Sequence, residues 1–138
     1  MFAFMVLGTL SLPAYTADDK PVFTDVTAQA GIDFMHFNGM SGELYFAEMV
    51  GHGGALFDYD NDGDLDAFIV QGNMLGADKQ LSDALFPPAS PKLTDRLYRN
   101  DLIQGDNNTG TLHFSDITDS AGIKGPEYGM GATTGDFD

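Results

Sequence analysis

The sequence predicts an all-β chain built from repeated units, and three observations support that prediction. Short apolar runs rich in β-favouring residues lie on both sides of an acidic loop at 58–66. Two further segments, 96–101 and 111–118, alternate apolar and polar residues. One ten-residue motif also occurs twice in the chain, which is typical of repeat architectures.

The N-terminal residues 1–17 are an apolar run that ends in small residues before a polar Asp-Asp-Lys. The run is too short to span a membrane, and its ending favours a signal peptide cleaved after Ala17. The usual positive charge is missing, because no Lys or Arg precedes Lys20. A buried helix or strand is therefore the alternative. With a signal peptide, we expect a secreted, periplasmic or cell-surface protein with no membrane insertion after signal removal.

Charge and composition restrict the partners. The chain has 138 residues, 43% of them hydrophobic, and a net charge of −15 from 21 acidic and 6 basic residues. A globular chain with this charge is repelled by nucleic-acid phosphates and anionic membranes, and it attracts cations. The absence of cysteine excludes disulfides, thiolate metal sites and cysteine nucleophiles. A metal cation is therefore favoured and nucleic acid is not, although an acidic surface also simply favours solubility.

The repeat is visible in two pairs of segments. FTDVTAQAGI at 23–32 recurs as FSDITDSAGI at 114–123. Downstream of each copy, GHGGALFDYD at 51–60 matches GMGATTGDFD at 129–138 in its Gly-x-Gly start and its Asp-aromatic-Asp end. The same order in both places favours a repeat over chance similarity. We therefore expect residues 18–138 to form one complete unit and part of a second, truncated within a second aspartate loop, from a longer array.

Inside the unit, strands are predicted in chain order. GGALFDYD and DAFIVQGN flank the acidic loop, and RLYRND and TLHFSDIT follow as the third and fourth strand patterns. The stretch between Asn73 and Thr94 is too long and too rich in proline for a hairpin connection. It is interpreted as an inserted loop that holds a short helix at DKQLSDAL.

The acidic loop DYDNDGDLD has aspartate at every second position and Gly63 at its sixth, where glycine is expected to allow a sharp turn with positive φ. Carboxylates this close repel one another and raise one another's pKa, so a folded loop that keeps them ionised needs a cation. Oxygen ligands in this number fit Ca²⁺ better than Mg²⁺ and argue against zinc or copper. The predicted metal ligands are the side chains of Asp58, Asp60, Asp62 and Asp66 and the backbone carbonyl of Asp64. A solvated acidic turn without metal is the alternative.

An EF-hand shares the opening of this loop but is excluded by its ending. An EF-hand has a bidentate Glu at the twelfth position between two helices, whereas Ile69 stands there in this chain. The flanking segments are strand patterns. A nine-residue loop that closes at Asp66 and joins two strands is what the sequence predicts.

Together, GGALFDYDNDGDLDAFIV, RLYRND, FSDITDSAGI and YGMGATTGDFD strongly resemble the FG-GAP/VCBS-type repeats of secreted proteins. The resemblance is greatest to the cartilage acidic protein family and its bacterial relatives with a C-terminal ASPIC/UnbV module, and it covers roughly Val22 to Asp138. It implies β-propeller blades of four strands each, with calcium in the loop between the first two strands. It also implies that Asp136 and Asp138 begin a second, incomplete calcium site, so that this chain contributes an incomplete propeller.

The expected function is a secreted, non-catalytic calcium-binding module that acts in cell adhesion or as a scaffold for an extracellular protein or glycan. The alternative is part of a propeller enzyme, a hydrolase or lyase, whose active site lies outside this segment. A purely structural spacer is the third possibility. A metallohydrolase is disfavoured, because no His-Glu-x-x-His spacing occurs; its candidate residues would be His36, His52 and His113 with Glu43 and Glu48.

Overall fold

The computed structural model of the chain describes residues 23–89, 93–102, 110–125 and 127–135. Their strands form one antiparallel sheet with the strand order β1-β2-β3-β4. The strands are β1 (Gly54–Phe57), β2 (Asp66–Ile69), β3 (Arg96–Asn100) and β4 (Phe114–Asp116). Helix is limited, in these ranges, to α1 (Phe46–Val50) and a 3₁₀ turn at Leu81–Asp83. The regular secondary structure of the described residues is thus mostly sheet, which is compatible with the all-β prediction.

Two sequence predictions lie outside the described residues: the signal peptide at 1–17, and the second-site ligands Asp136 and Asp138. Within the described ranges, no helix combines the length and the apolar character that crossing a bilayer would require.

The middle of the sheet is buried on both faces. Successive residues of a strand point to opposite faces, and both Leu97 and Tyr98 of β3 are buried. Ala67 of β2 pairs with Tyr98 and is buried as well. The Tyr98 hydroxyl donates a hydrogen bond to Asp33 Oδ1 at 2.8 Å, and burial is the main cause that raises the pKa of this phenol. The segment before the sheet therefore covers one of its faces.

The two copies of the ten-residue motif fold into the same turn. In each copy an alanine N–H donates to the carbonyl four residues earlier at 2.8 Å, from Ala30 to Val26 and from Ala121 to Ile117. Gly31 and Gly122 close the two turns with φ of 83° and 76°, a conformation that glycine adopts without strain. The local sequence is therefore sufficient to produce the turn twice.

The second turn is attached to the sheet through Thr118, which is 1% exposed. Its hydroxyl oxygen accepts a hydrogen bond from the Leu97 N–H at 3.0 Å. Thr27 holds the same place in the first turn but is exposed to solvent. The first turn uses its backbone instead, because the Ala30 carbonyl accepts from the Phe114 N–H at 2.7 Å.

The insertion packs as a small core of its own against the N-terminal part of the chain. Phe37, Ala84 and Leu93 are buried together, with Met74 and Leu81 partly buried beside them. Between Asn73 and Thr94 the described residues contain no strand, and the short helix predicted at 78–85 is reduced to the 3₁₀ turn at Leu81–Asp83. A hydrogen bond of 2.8 Å from the Leu85 N–H to the Met40 carbonyl joins this core to the segment before α1.

The two glycine-rich segments, 51–54 and 129–131, lie side by side and are called the glycine junction below. The Gly53 N–H donates to the Met130 carbonyl at 3.1 Å, and the Gly129 N–H donates to the Gln71 carbonyl at 3.2 Å. A Cβ atom on Gly129 would lie 2.2 Å from Val70 Cγ1. Glycine is favoured there because the Val70 side chain occupies the space that a Cβ atom would need.

Replacing Gly129 by Ala is expected to lower the free energy of unfolding by about 1–3 kcal/mol, because the new methyl group overpacks against Val70. Gly131→Ala is the matched control, since a Cβ there meets nothing within 4 Å. Urea unfolding of both variants measures the difference. Equal losses would show that the contact with Val70 does not restrict position 129.

Replacing Thr118 by Val should also cost about 1–3 kcal/mol, because it leaves the buried Leu97 N–H without its acceptor. Thr27→Val makes the same chemical change at the exposed copy and should cost much less. Thermal and urea unfolding compare the two variants. The assignment of Thr118 as a buried acceptor is wrong if Thr27→Val is the more harmful change.

Candidate metal centre

The acidic loop joins β1 to β2, and the strand register sets its two ends. Phe57 pairs with Asp66 as the last pair of the β1–β2 ladder. Two residues turn the chain back between them, Asn61 with φ of 61° and Gly63 with φ of 95°. The positive φ expected for Gly63 is confirmed. Asn61 was not anticipated, although Asn is among the few non-glycine residues that adopt this conformation readily.

Asp66 anchors the loop to the sheet and is 0% exposed. Its Oδ2 accepts a hydrogen bond from the Tyr59 N–H at 2.6 Å, and its Oδ1 accepts from the Asn100 N–H at 2.7 Å. A buried carboxylate is costly unless it is hydrogen-bonded. The two backbone donors hold Asp66 in one orientation and connect the loop to the end of β3.

Asp58 shapes the other half of the loop. Its Oδ1 accepts from the Asp62 N–H at 3.1 Å and its Oδ2 from the Gly63 N–H at 3.0 Å. Asp62 Oδ1 in turn accepts from the Asp64 N–H at 2.9 Å. Side chains of this type replace backbone partners in tight turns. The aspartates therefore fold the loop as well as charge it.

Three of the five predicted ligands converge. One carboxylate oxygen each from Asp58, Asp60 and Asp66 lies within 4.8 Å of the other two. Oxygens on opposite sides of one calcium ion are about 4.6–5.2 Å apart, twice the calcium–oxygen distance. A single ion can therefore reach all three carboxylates. Asp62 and Asp64 stand outside this group, and their predicted ligation stays a prediction.

The charge of Asp60 is the least compensated of the group. Loss of hydration in the loop raises the pKa of this carboxyl first, and the charges of Asp62 and Asp66 raise it further. Arg99 acts against them, with its Nε 4.0 Å from Asp60 Oδ2. That guanidinium is shared, because the same Nε donates to Asp101 Oδ1 at 2.6 Å.

The pKa of Asp60 is raised, and this direction determines how its ionisation affects the stability of the fold. A carboxyl whose pKa is higher in the folded chain than its ordinary 3.8 binds its proton more tightly when folded. Its ionisation therefore disfavours the fold at neutral pH, and this penalty disappears as the pH falls to 3.8 and below. A bound cation would remove the same penalty at neutral pH.

Strand β3 contributes to the site in a way that the sequence did not reveal. Arg99 faces Asp60, and the Asn100 N–H holds Asp66. The RLYRND segment was predicted as a strand, but no local pattern shows which loop its end will meet. Only the pairing of β2 with β3 brings it there.

The histidines and glutamates weighed for a metallohydrolase have other surroundings. Glu48 is buried, and its Oε1 accepts from the Ser41 N–H and hydroxyl at 3.1 and 2.7 Å. Glu43 pairs with Lys79 at 3.0 Å. His36 lies against His52. Among the described residues, the aspartates are the only group of three or more potential metal-ligating side chains that comes together.

No protein-family model, curated protein or solved structure matches this chain. The resemblance to FG-GAP/VCBS repeats therefore stays a prediction from the quoted motifs, and the geometry of the site has to support any function.

Replacing Asp66 by Asn should lower the free energy of unfolding of the metal-free chain by about 1–3 kcal/mol, because an amide nitrogen cannot accept the second buried N–H. Asp64→Asn, which changes charge equally outside the converging group, is the control. Urea unfolding in the presence of a chelator gives both values. Equal stability of the two variants would contradict the anchoring role of Asp66.

Proposed function

We propose that this protein is a secreted, calcium-binding β-propeller repeat module that acts as a non-catalytic scaffold, in adhesion or in binding an extracellular protein or glycan. The observation that supports it best is the convergence of three carboxylates around the buried and hydrogen-bonded Asp66. The hydrogen bonds of the aspartates fold the loop but do not balance its charge, and among the described charged groups only the shared Arg99 faces it.

The donor set favours calcium. Every converging atom is a carboxylate oxygen, which hard cations prefer over imidazole or thiolate ligands. The oxygens of Asp58 and Asp66 each accept one N–H, and a carboxylate oxygen has a second lone pair. These side chains can therefore bind an ion without giving up the hydrogen bonds that hold the loop. Asp62, the Asp64 carbonyl and water would complete the shell.

The sheet supports the propeller part of the proposal. A blade is a four-stranded antiparallel sheet, and this sheet has four strands in sequential order. Its acidic loop connects the first two strands. The matching turns and the glycine junction bring the start of a second unit beside the start of the first, as expected where repeated units stack on one another.

One cavity offers a place for a partner. A volume of about 600 Å³ lies between residues 33–37 and the insertion, with Phe34, Phe86 and Pro87 on its walls. Its charged residues Asp33 and Arg96 already have partners, in Tyr98 and Asp116. This cavity therefore suits binding better than catalysis. The competing proposal, a hydrolase or lyase with its active site outside this segment, gains no support from the described residues.

The Asp60→Asn substitution tests the proposal, because its expected effect on stability without calcium is opposite to its effect with calcium. In chelator, the variant should unfold at a temperature equal to or higher than that of the wild type, because the uncompensated charge is gone. In calcium, it should lose most of the stabilisation that the wild type gains, with affinity weaker by about tenfold or more. Calorimetry and thermal unfolding measure the two effects.

The matched control is Asp64→Asn, which removes the same charge but keeps the backbone carbonyl expected to bind the ion. It should retain affinity within about threefold of the wild-type value, which for extracellular sites is about 10⁻⁴–10⁻³ M. Affinity should fall as the pH falls, because protonated carboxylates do not bind calcium. A chain that shows its β signal by circular dichroism but binds no calcium would refute the proposal in favour of an acidic turn.

A further inference from the structure

Two histidines from distant parts of the chain meet beside the glycine junction. His36 Nε2 and His52 Nδ1 are 3.1 Å apart, and their ring centroids are 4.6 Å apart. On its other side, the His52 ring lies 4.8 Å from the ring of Tyr128. His52 therefore links the N-terminal segment to the segment that begins the second glycine-rich copy.

The second ring nitrogen of His52 has no partner. Its Nε2 is buried and makes no hydrogen bond to any described residue. The ring lies against the backbone of Gly72, where a Cβ would come within 2.7 Å of Nε2. This nitrogen is easily kept as an unprotonated lone pair, whereas a buried N–H there would lack an acceptor.

Counting protons shows what this arrangement tolerates. The contact between His36 Nε2 and His52 Nδ1 needs one shared proton. With both rings neutral, that proton can sit on His52 and the other on His36 Nδ1, which leaves the buried Nε2 bare. Adding a third proton places an N–H on the buried His52 Nε2. Adding a fourth puts two N–H groups against each other and breaks the contact.

The charged groups around His36 and His52 do not reverse the preference for two neutral rings. Asp95 is the acidic group that favours a charged His52, but burial and the neighbouring His36 oppose it and lower the pKa of His52. Burial also lowers the pKa of His36. On the far side, Tyr128 is neutral, and Glu48 near it raises its pKa further, after burial.

The pair is placed where it can control a contact. His52 precedes Gly53, and Tyr128 precedes Gly129; the N–H groups of both glycines form the hydrogen bonds of the glycine junction. The Tyr128 hydroxyl also donates to the Asn38 carbonyl at 3.1 Å. Movement of the His52 ring would therefore disturb the docking of residues 127–131 on the sheet.

We propose that His36, His52 and Tyr128 form a pH-sensitive latch that holds residues 127–131 on the sheet at neutral pH and releases them in mild acid. The tilted ring contacts are most favourable while both histidines are neutral, because a third proton would place an N–H without an acceptor on the buried His52 Nε2. The inference does not depend on the calcium loop.

The expected pH window follows from the direction of the shifts. Both pKa values lie below the ordinary 6.5 in the folded chain, so the unfolded chain binds more protons as the pH falls below 6.5. The contribution of the pair is complete above that value. It is lost progressively below it, until the pH reaches the lowered folded pKa.

Amide hydrogen exchange of Gly53 and Gly129 tests the latch in the full chain, in chelator, so that calcium release cannot contribute. After correction for intrinsic exchange, wild-type protection should fall by about tenfold or more between pH 7.5 and 5.5. The double variant His36→Gln/His52→Gln keeps polar side chains but leaves no titratable ring in the pair, so its protection should change by less than about threefold over the same range. His113→Gln, outside the pair, should behave as the wild type.

The latch is refuted if the double variant keeps the wild-type pH response or if wild-type protection does not change. A second measurement does not require the variant to fold: NMR titration of the ring protons in the wild type. Values below 6.5 for both His36 and His52 are expected. Values at or above 6.5 for both would overturn the proposal.

Discussion

The site depends on one buried carboxylate. Asp66 has no solvent exposure, and its two oxygens accept backbone hydrogen bonds from Tyr59 in the loop and from Asn100 at the end of β3. Since a buried charge is tolerated only with such partners, this side chain joins the loop, β2 and β3 into one unit. Asp58 and Asp60 converge on this fixed carboxylate.

At the acidic loop, the negative charge of Asp60 destabilises the folded chain. At the glycine junction, protonation of the His36–His52 pair is proposed to destabilise it. Asp60 carries a negative charge that the shared Arg99 compensates only in part and that a cation or a proton would neutralise, whereas the proposed latch requires a neutral His36–His52 pair. Lowering the pH is therefore expected to stabilise the metal-free loop and to destabilise the glycine junction. The proposed calcium site and the proposed latch would respond to pH through separate groups, which allows them to be tested separately.

The repeated motif shows which structural features the local sequence determines and which it does not. Its two copies form the same turn with the same hydrogen bonds, because Asp, Thr, Ala and Gly at those spacings satisfy one another within ten residues. Their surroundings are nevertheless different. Thr118 is buried against the sheet and Thr27 is exposed, since only the second copy begins with a strand of the sheet, β4.

The sequence alone determined the local features, which are the strands on both sides of the acidic loop and the left-handed Gly63. It predicted five aspartate ligands, of which three converge in the structure. It did not reveal that Arg99 and Asn100 contact the aspartates of the loop, that His36 lies against His52, or that the insertion has a small core. These join residues 34 positions apart for Asp66 and Asn100, and 16 apart for the two histidines. Hydrogen bonds between residues close in the chain can be predicted from a local sequence pattern. Contacts between distant segments form only when the strands pair and the apolar faces pack.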